Sequence, residues 1–213
     1  MRFLFLYLII SQTFILSNDL KSATYKRTQK SQILQKIYKP VSFISHNNPI
    51  EKYGTYLARN ISFEPISQIR RHIEVQRNLK LKHRGEAHIT ILTPPEYNQI
   101  REWNPTVSMN SINRLVGPVV QYLHFNILGI GSVKGLNTNN ERSEVFFLVI
   151  RSRGLRAIRK LIAAEWSIPT KVFNPMQQDF HITIGFTVSD LFSRTGFEIK
   201  KDISSIQLDL RLD

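Results

Sequence analysis

The sequence predicts an α+β fold in which two pseudo-symmetric strand–helix–strand lobes surround a central cleft. Two observations predict it. The string His-Ile-Thr-Ile occurs twice, at His88 and again at His181, and each copy closes a segment whose pattern reads strand, then helix, then strand. Between and after these segments, short alternating runs supply further strands without any long linker or low-complexity stretch, which points to one bilobal domain rather than two independent ones.

In the first half, KYGTYLARNI has the Tyr, Thr and Leu content of a strand. A helix is expected over about residues 65–79, with Ile66, Ile69, Ile73 and Leu79 along one face and Arg70, Arg71 and Arg77 in water. A turn at KHRG then leads into the strand AHITIL. In the second half, EVFFLVI is a continuous apolar run suited to a buried strand. The following SRGLRAIRKLIAAEW is expected to be a helix with Leu155, Ile158, Leu161 and Ile162 inward, and FHITIGF is again a strand. Linking the halves are a Pro-started segment, PPEYNQIREW, a helix around residues 108–116, and a β-rich stretch over 119–133. The C-terminal ISSIQLDLRLD alternates apolar and polar residues as a half-buried strand does.

At the N-terminus, MRFLFLYLIISQTFILS places one Arg before a short apolar run, the pattern of a signal peptide over residues 1–17. The run is short for a membrane span, so no stable span is expected once the signal is removed, and the protein is expected to be secreted or lumenal in the secretory pathway. Residues 18–51 read as a basic arm or short helix, with Ile33, Leu34 and Ile37 at helical spacing, and the domain proper as residues 52–213, its lobes meeting near residue 125. Asn60-Ile61-Ser62 is a glycosylation triplet compatible with secretion, and such triplets also arise by chance.

The chain has 213 residues, 42% of them hydrophobic, enough for a sizeable core. It has no cysteine, which excludes disulfides and thiolate metal sites. With 29 Lys and Arg against 16 Asp and Glu, the formal charge is +13, a field that attracts phosphate-bearing partners and weakens with salt. Charge alone also suits a basic soluble surface with no specific partner.

Strand side chains alternate, so His88 and Thr90 share one face and Ile89 and Ile91 the other, as do His181 and Thr183 against Ile182 and Ile184. One such string is more simply a half-buried strand with a satisfied histidine; two identical strings in matching contexts argue for a site. If the two His faces converge on one cleft, a neutral imidazole can take a proton from an attacking hydroxyl or water while a protonated one gives a proton to the leaving oxygen. Thr90 and Thr183 would donate to the non-bridging phosphate oxygens. Glu86 and Asp179 each precede a histidine by two residues and so share its face. They suit imidazole orientation, although a solvated carboxylate at a strand entrance is the simpler account. A rival arrangement makes Glu86, His88, Asp179 and His181 a metal site, but nothing like HExxH supports it. His46, His72, His83 and His124 lack repeated context and receive no role. Tyr56, Trp103, Trp166 and Phe186 suit base stacking or simply the core. The cluster Arg151, Arg153, Arg156, Arg159 and Lys160 suits phosphate contact or the wet face of its helix.

These paired H-x-T-x motifs in a duplicated frame resemble the 2H phosphoesterase superfamily, over about residues 53–213. RGEAHITILTPPEY and DFHITIGFTVSDL look most like a fungal branch described as Swiss Army Knife or RNA-repair-like. The resemblance implies catalytic His88 and His181, phosphate-contacting Thr90 and Thr183, no cofactor and no metal. It also implies a phosphodiesterase whose substrate is a cyclic phosphate or RNA-terminal phosphodiester; family activities include hydrolysis of 2′,3′-cyclic and ADP-ribose-derived cyclic phosphates, RNA end trimming and 2′-5′ ligation. The apparent signal peptide departs from an intracellular RNA-repair role. A monomer acting on a nucleotide or RNA phosphodiester is therefore expected. The alternative is a non-catalytic basic module that keeps the cleft to bind RNA or another polyanion.

Overall fold

A computed structural model describes residues 32–51, 54–137 and 139–191. The N-terminal signal pattern and the C-terminal ISSIQLDLRLD strand lie outside them. In chain order the elements are a helix over residues 32–38 (α1), β1 (His46–Asn47), β2 (Thr55–Ile61), α2 (Phe63–Arg77), β3 (Ala87–Leu92), α3 (Pro94–Trp103), α4 (Met109–Val120), β4 (Asn126–Leu136), β5 (Arg142–Arg151), α5 (Arg153–Glu165) and β6 (His181–Phe186). The fold is α+β, with one antiparallel sheet in the order β1-β2-β3-β6-β5-β4.

Both expected strand–helix–strand units form, as β2-α2-β3 and β5-α5-β6, and their last strands are neighbours at the centre of the sheet. Each helix packs mainly under the other unit's motif strand, α2 against β6 and α5 against β3. Ile89, Ile91, Ile182 and Ile184 are all buried in one core shared by both units, together with Ile66, Ile69 and Ile73 of α2 and Leu155, Ile158 and Ile162 of α5. At about 25 cal/mol per Å2 of apolar surface removed from water, this face dominates the stability.

Local chemistry sets the helix starts. Thr93 accepts from the Glu96 amide while the Glu96 carboxylate takes the Thr93 amide, and Pro94 and Pro95 occupy the first positions, where no amide hydrogen is needed. Ser108 and Ser111 make the same reciprocal bonds for α4. Ser152 caps α5 through the Leu155 amide and donates its own hydroxyl to the His124 carbonyl.

Three expectations change. The β-rich stretch begins later than expected, because α4 continues through Pro118 to Val120, held by the buried faces of Val116, Gly117 and Val120. In α5, Leu161 is turned to solvent, and the inward position goes to Arg159, which is wholly buried. Asn60 is buried in β2, and its amide donates to the Ile44 carbonyl. A glycan at this nitrogen is incompatible with the folded strand, so the triplet is not a surface acceptor here.

The described residues before β2 belong to the same body. Ile37 of α1 is fully buried in the main core, Tyr38 packs against it, and β1 pairs with β2 at His46 opposite Tyr56.

Candidate active site

The register of the two central strands builds the site. Ile89 lies opposite Ile182 in the antiparallel β3–β6 pairing. One residue to either side, that register sets His88 opposite Thr183 and Thr90 opposite His181. All four point away from the isoleucine core, with the histidines on one diagonal of a square and the threonines on the other. Diagonal partners across such a pair stand about 7–8 Å apart, a gap that a tetrahedral phosphoryl group can bridge. The sequence suggested two lobes around a central cleft; the motif strands are neighbours at the centre of one sheet.

A pocket of about 350 Å3, counting its open mouth, lies at one end of this square. His88 and Thr183 line it together with His83, Arg84, Glu86 and Phe186. Thr90 and His181 lie one pleat further along and are not part of its wall. The lip comes from the segment before β3, which is stitched to β6 by paired backbone bonds between Lys82 and Phe186. Gly185 is required there, because a Cβ would lie 2.9 Å from the Lys82 carbonyl oxygen. Arg84 reaches across to Asp190 at 2.7 Å, tying the segment before β3 to the one after β6.

The two imidazoles are held differently. His181 Nδ1 lies 3.2 Å from the backbone carbonyl of Asp179; a carbonyl only accepts, so Nδ1 carries the hydrogen and Nε2 is the basic nitrogen of the neutral ring. Phe147 of β5 meets the His181 ring edge-on at 5.8 Å. His88 Nδ1 is buried and has no hydrogen-bond partner. Glu86 Oε1 is 3.7 Å away, too far for a hydrogen bond. Neither carboxylate therefore orients an imidazole by a hydrogen bond: Asp179 acts on His181 through its backbone carbonyl and its charge, and Glu86 stands beside His88 without bonding it.

Both rings resist protonation. Burial, with the charges of His46, Arg84 and His181, pushes His88 down to about 3. Burial also lowers His181, but its bond to the Asp179 carbonyl and the charges of Asp190 and Asp179 oppose that shift. The carbonyl behind Nδ1 favours the imidazolium of His181, a support that the unpartnered Nδ1 of His88 lacks.

The flanks differ in character. Toward β5 the wall is apolar, made by Val145, Phe147 and Leu191 with Val133, Val149 and Phe186. Toward β2 it is aromatic. Tyr56 and His46 stack at 4.2 Å, and their centroids lie 5.2 and 5.6 Å from that of His88. Burial and Glu86 push the Tyr56 phenol up to about 12, so it stays neutral.

Of the aromatic candidates, Tyr56 and Phe186 reach the site; Trp103 is half-exposed at the end of α3, and Trp166 packs against the core. His46, His83, Arg84 and Asp190 were not singled out from the sequence. Only the two residues adjoining a motif, Arg84 and Asp190, carried any local signal. Arg159 is no phosphate ligand: its guanidinium bonds the Ile91, Asn174 and Pro175 carbonyls and both oxygens of Glu96. Among the described residues, no three His, Asp or Glu side chains assemble as a metal-ligand set, so the Glu86, His88, Asp179 and His181 quartet is not built as one.

The family model for the Swiss Army Knife 2H phosphoesterase domain matches residues 56–192, well over half of the chain and both motif strands. The chain belongs to the 2H phosphoesterases. No curated protein and no solved structure matches it. As a 2H phosphoesterase it is a hydrolase of phosphate esters, and the matched span begins at Tyr56, so α1 and His46 stand outside it.

Proposed function

We propose that this 2H phosphoesterase is a metal-independent phosphodiesterase acting on a cyclic phosphate or RNA-terminal phosphodiester, with His88 as general base and His181 as general acid. The observation that carries the proposal is the square of side chains on β3 and β6, with histidines on one diagonal and threonines on the other.

The phosphorus lies over the centre of the square. Neutral His88 removes a proton from an attacking water as the new P–O bond forms. His181, protonated at Nε2, gives that proton to the departing oxygen as the old P–O bond breaks. Thr90 and Thr183 donate to the non-bridging oxygens, where negative charge must be stabilised. The assignment is supported by the asymmetry behind the rings: a carbonyl accepts from Nδ1 of His181 and favours its imidazolium, whereas Nδ1 of His88 has no hydrogen-bond partner. A bound phosphate raises both affinities toward the working range.

The mirrored order of β2-β3 and β6-β5 supports reading the two units as equivalent lobes. The +13 charge supports a nucleotide or RNA substrate, and the N-terminal pattern supports a secreted or lumenal location. The test is an assay with a chelator present against 2′,3′-cyclic nucleotides, ADP-ribose cyclic phosphate and cyclic-phosphate-ended RNA. His88→Ala and His181→Ala should each lower turnover by about 10²- to 10⁴-fold with the fold retained. Salt-sensitive binding with no hydrolysis of any substrate would instead favour the non-catalytic polyanion-binding module.

A further inference from the structure

We propose that His46, delivered by the two-residue strand β1, is a positioning residue for His88, so that this site is completed by a segment N-terminal to the matched domain. The proposal rests on the reading of His88 as a working acid–base group.

The need for such a residue is visible in His88 itself. Its Nδ1 is buried without a partner, so no hydrogen bond at that nitrogen fixes the ring plane. A histidine that moves protons needs a defined plane, because an error of about 1 Å at a reacting centre can cost 10²-fold in rate. What holds the ring is packing. Tyr56 lies on one part of it at 41° and His46 on another at 51°.

His46 is in turn held without freedom. The Ile44 carbonyl can only accept, so Asn60 presents its NH2 there and turns Oδ1 toward His46. His46 Nε2 lies 3.0 Å from that oxygen and must carry the hydrogen. Asn60 stands directly opposite His88 in the β2–β3 register. One buried amide thus anchors the ring that packs on the histidine across from it, and the Tyr56 stack holds the other side of His46.

The charged and titratable groups facing His88 are His46 from β1, Tyr56 from β2, Arg84 and Glu86 from the segment before β3, and His181 from β6. Within that set His46 acts in two separable ways. Its ring restrains His88 by contact, and its charge, when protonated, opposes protonation of His88.

The test separates contact from charge with His46→Phe, which keeps a flat ring, and His46→Ala, which keeps neither. Imidazole NMR titration of the full chain, without substrate, reads His88 directly. Both variants should raise its midpoint relative to wild type. Kinetically, His46→Ala should lower kcat by about ten- to a hundredfold with KM within about threefold, and His46→Phe should recover most of that loss. Unchanged His88 titration in both variants, or equal kcat losses in both, would overturn the proposal. If the wild-type protein hydrolyses no phosphodiester while the NMR shift still appears, the phosphodiesterase reading fails and the coupling of His46 to His88 stands.

Discussion

His181 Nδ1 meets the Asp179 carbonyl at 3.2 Å, while the equivalent nitrogen of His88 meets nothing. This asymmetry within a repeated motif supports the proposed division of proton-transfer roles, which can be tested with leaving groups. An ester whose leaving oxygen needs no proton, such as p-nitrophenolate, bypasses the acid but not the base. With it, His181→Ala should recover at least about tenfold of its lost rate, while His88→Ala stays impaired. Recovery in His88→Ala instead would reverse the assignment.

Acid sensitivity follows from the same two rings. The unfolded chain protonates His88 near the ordinary 6.5, whereas the folded protein does so only near 3. Above pH 6.5 the group contributes no pH dependence. Below it, the unfolded state holds the extra proton, and stability falls by about 1.4 kcal/mol per pH unit for each such histidine. His181 acts in the same direction. Urea unfolding between pH 7 and pH 5 should therefore show a shallower loss for His88→Asn than for wild type. In catalysis, kcat/KM should peak on the acid side of pH 6.5, since the free enzyme must carry one proton on a pair that resists it. The kcat optimum should lie higher, because bound phosphate favours the imidazolium.

Thr90 and Thr183 occupy the other diagonal, and valine at either site keeps the β-branched shape while removing the hydroxyl donor. Each substitution should lower kcat by about 10- to 10³-fold, with Tm within about 2 °C of wild type, because one transition-state donor is lost and little packing changes. Loss of Tm without loss of kcat would make these threonines structural.

The strands of the site were readable because period-2 alternation and β-branched residues agree across Ile-Thr-Ile in both AHITIL and HITIGF. That β3 pairs with β6 was not readable, since strand order depends on how helices cover the sheet; the sequence left open which strands are neighbours. Arg159 defeated the helical pattern for a related reason. Its neighbour Leu161 is the more apolar residue, but the carbonyls and carboxylate that can satisfy a buried guanidinium come from residues far away in sequence. His46 lies in a strand of two residues, too short to carry any periodic signal.

The Arg159–Glu96 pair ties α5 to the start of α3 and to the end of β3, and Arg159 is completely buried. Removing one partner strands the other in a low-dielectric site. Arg159→Met should therefore destabilise the protein by about 3–5 kcal/mol, measured by urea unfolding at pH 7. Because the same guanidinium holds the Asn174 and Pro175 carbonyls ahead of β6, the variant should also lose activity faster on warming. A change below about 1 kcal/mol would show that water replaces these bonds.

Arg59 is the converse case. It points into the core face of β2 with only 3% of its surface exposed, and its guanidinium lies 4.5 Å from the Phe125 ring centroid. Its Nε and Nη1 have no hydrogen-bond partner, and burial pushes its pKa down to about 10. Desolvation here is offset by one ring contact rather than by a carboxylate, so an apolar side chain of similar length keeps the packing and removes the cost. Arg59→Met should leave stability unchanged or raise it by about 1–2 kcal/mol, opposite in sign to Arg159→Met although both remove a buried arginine. Since Arg59 lies on the face opposite His88 and His181, turnover should stay near wild type. A destabilisation above about 2 kcal/mol would mean that the ring contact outweighs the two unpaired donors.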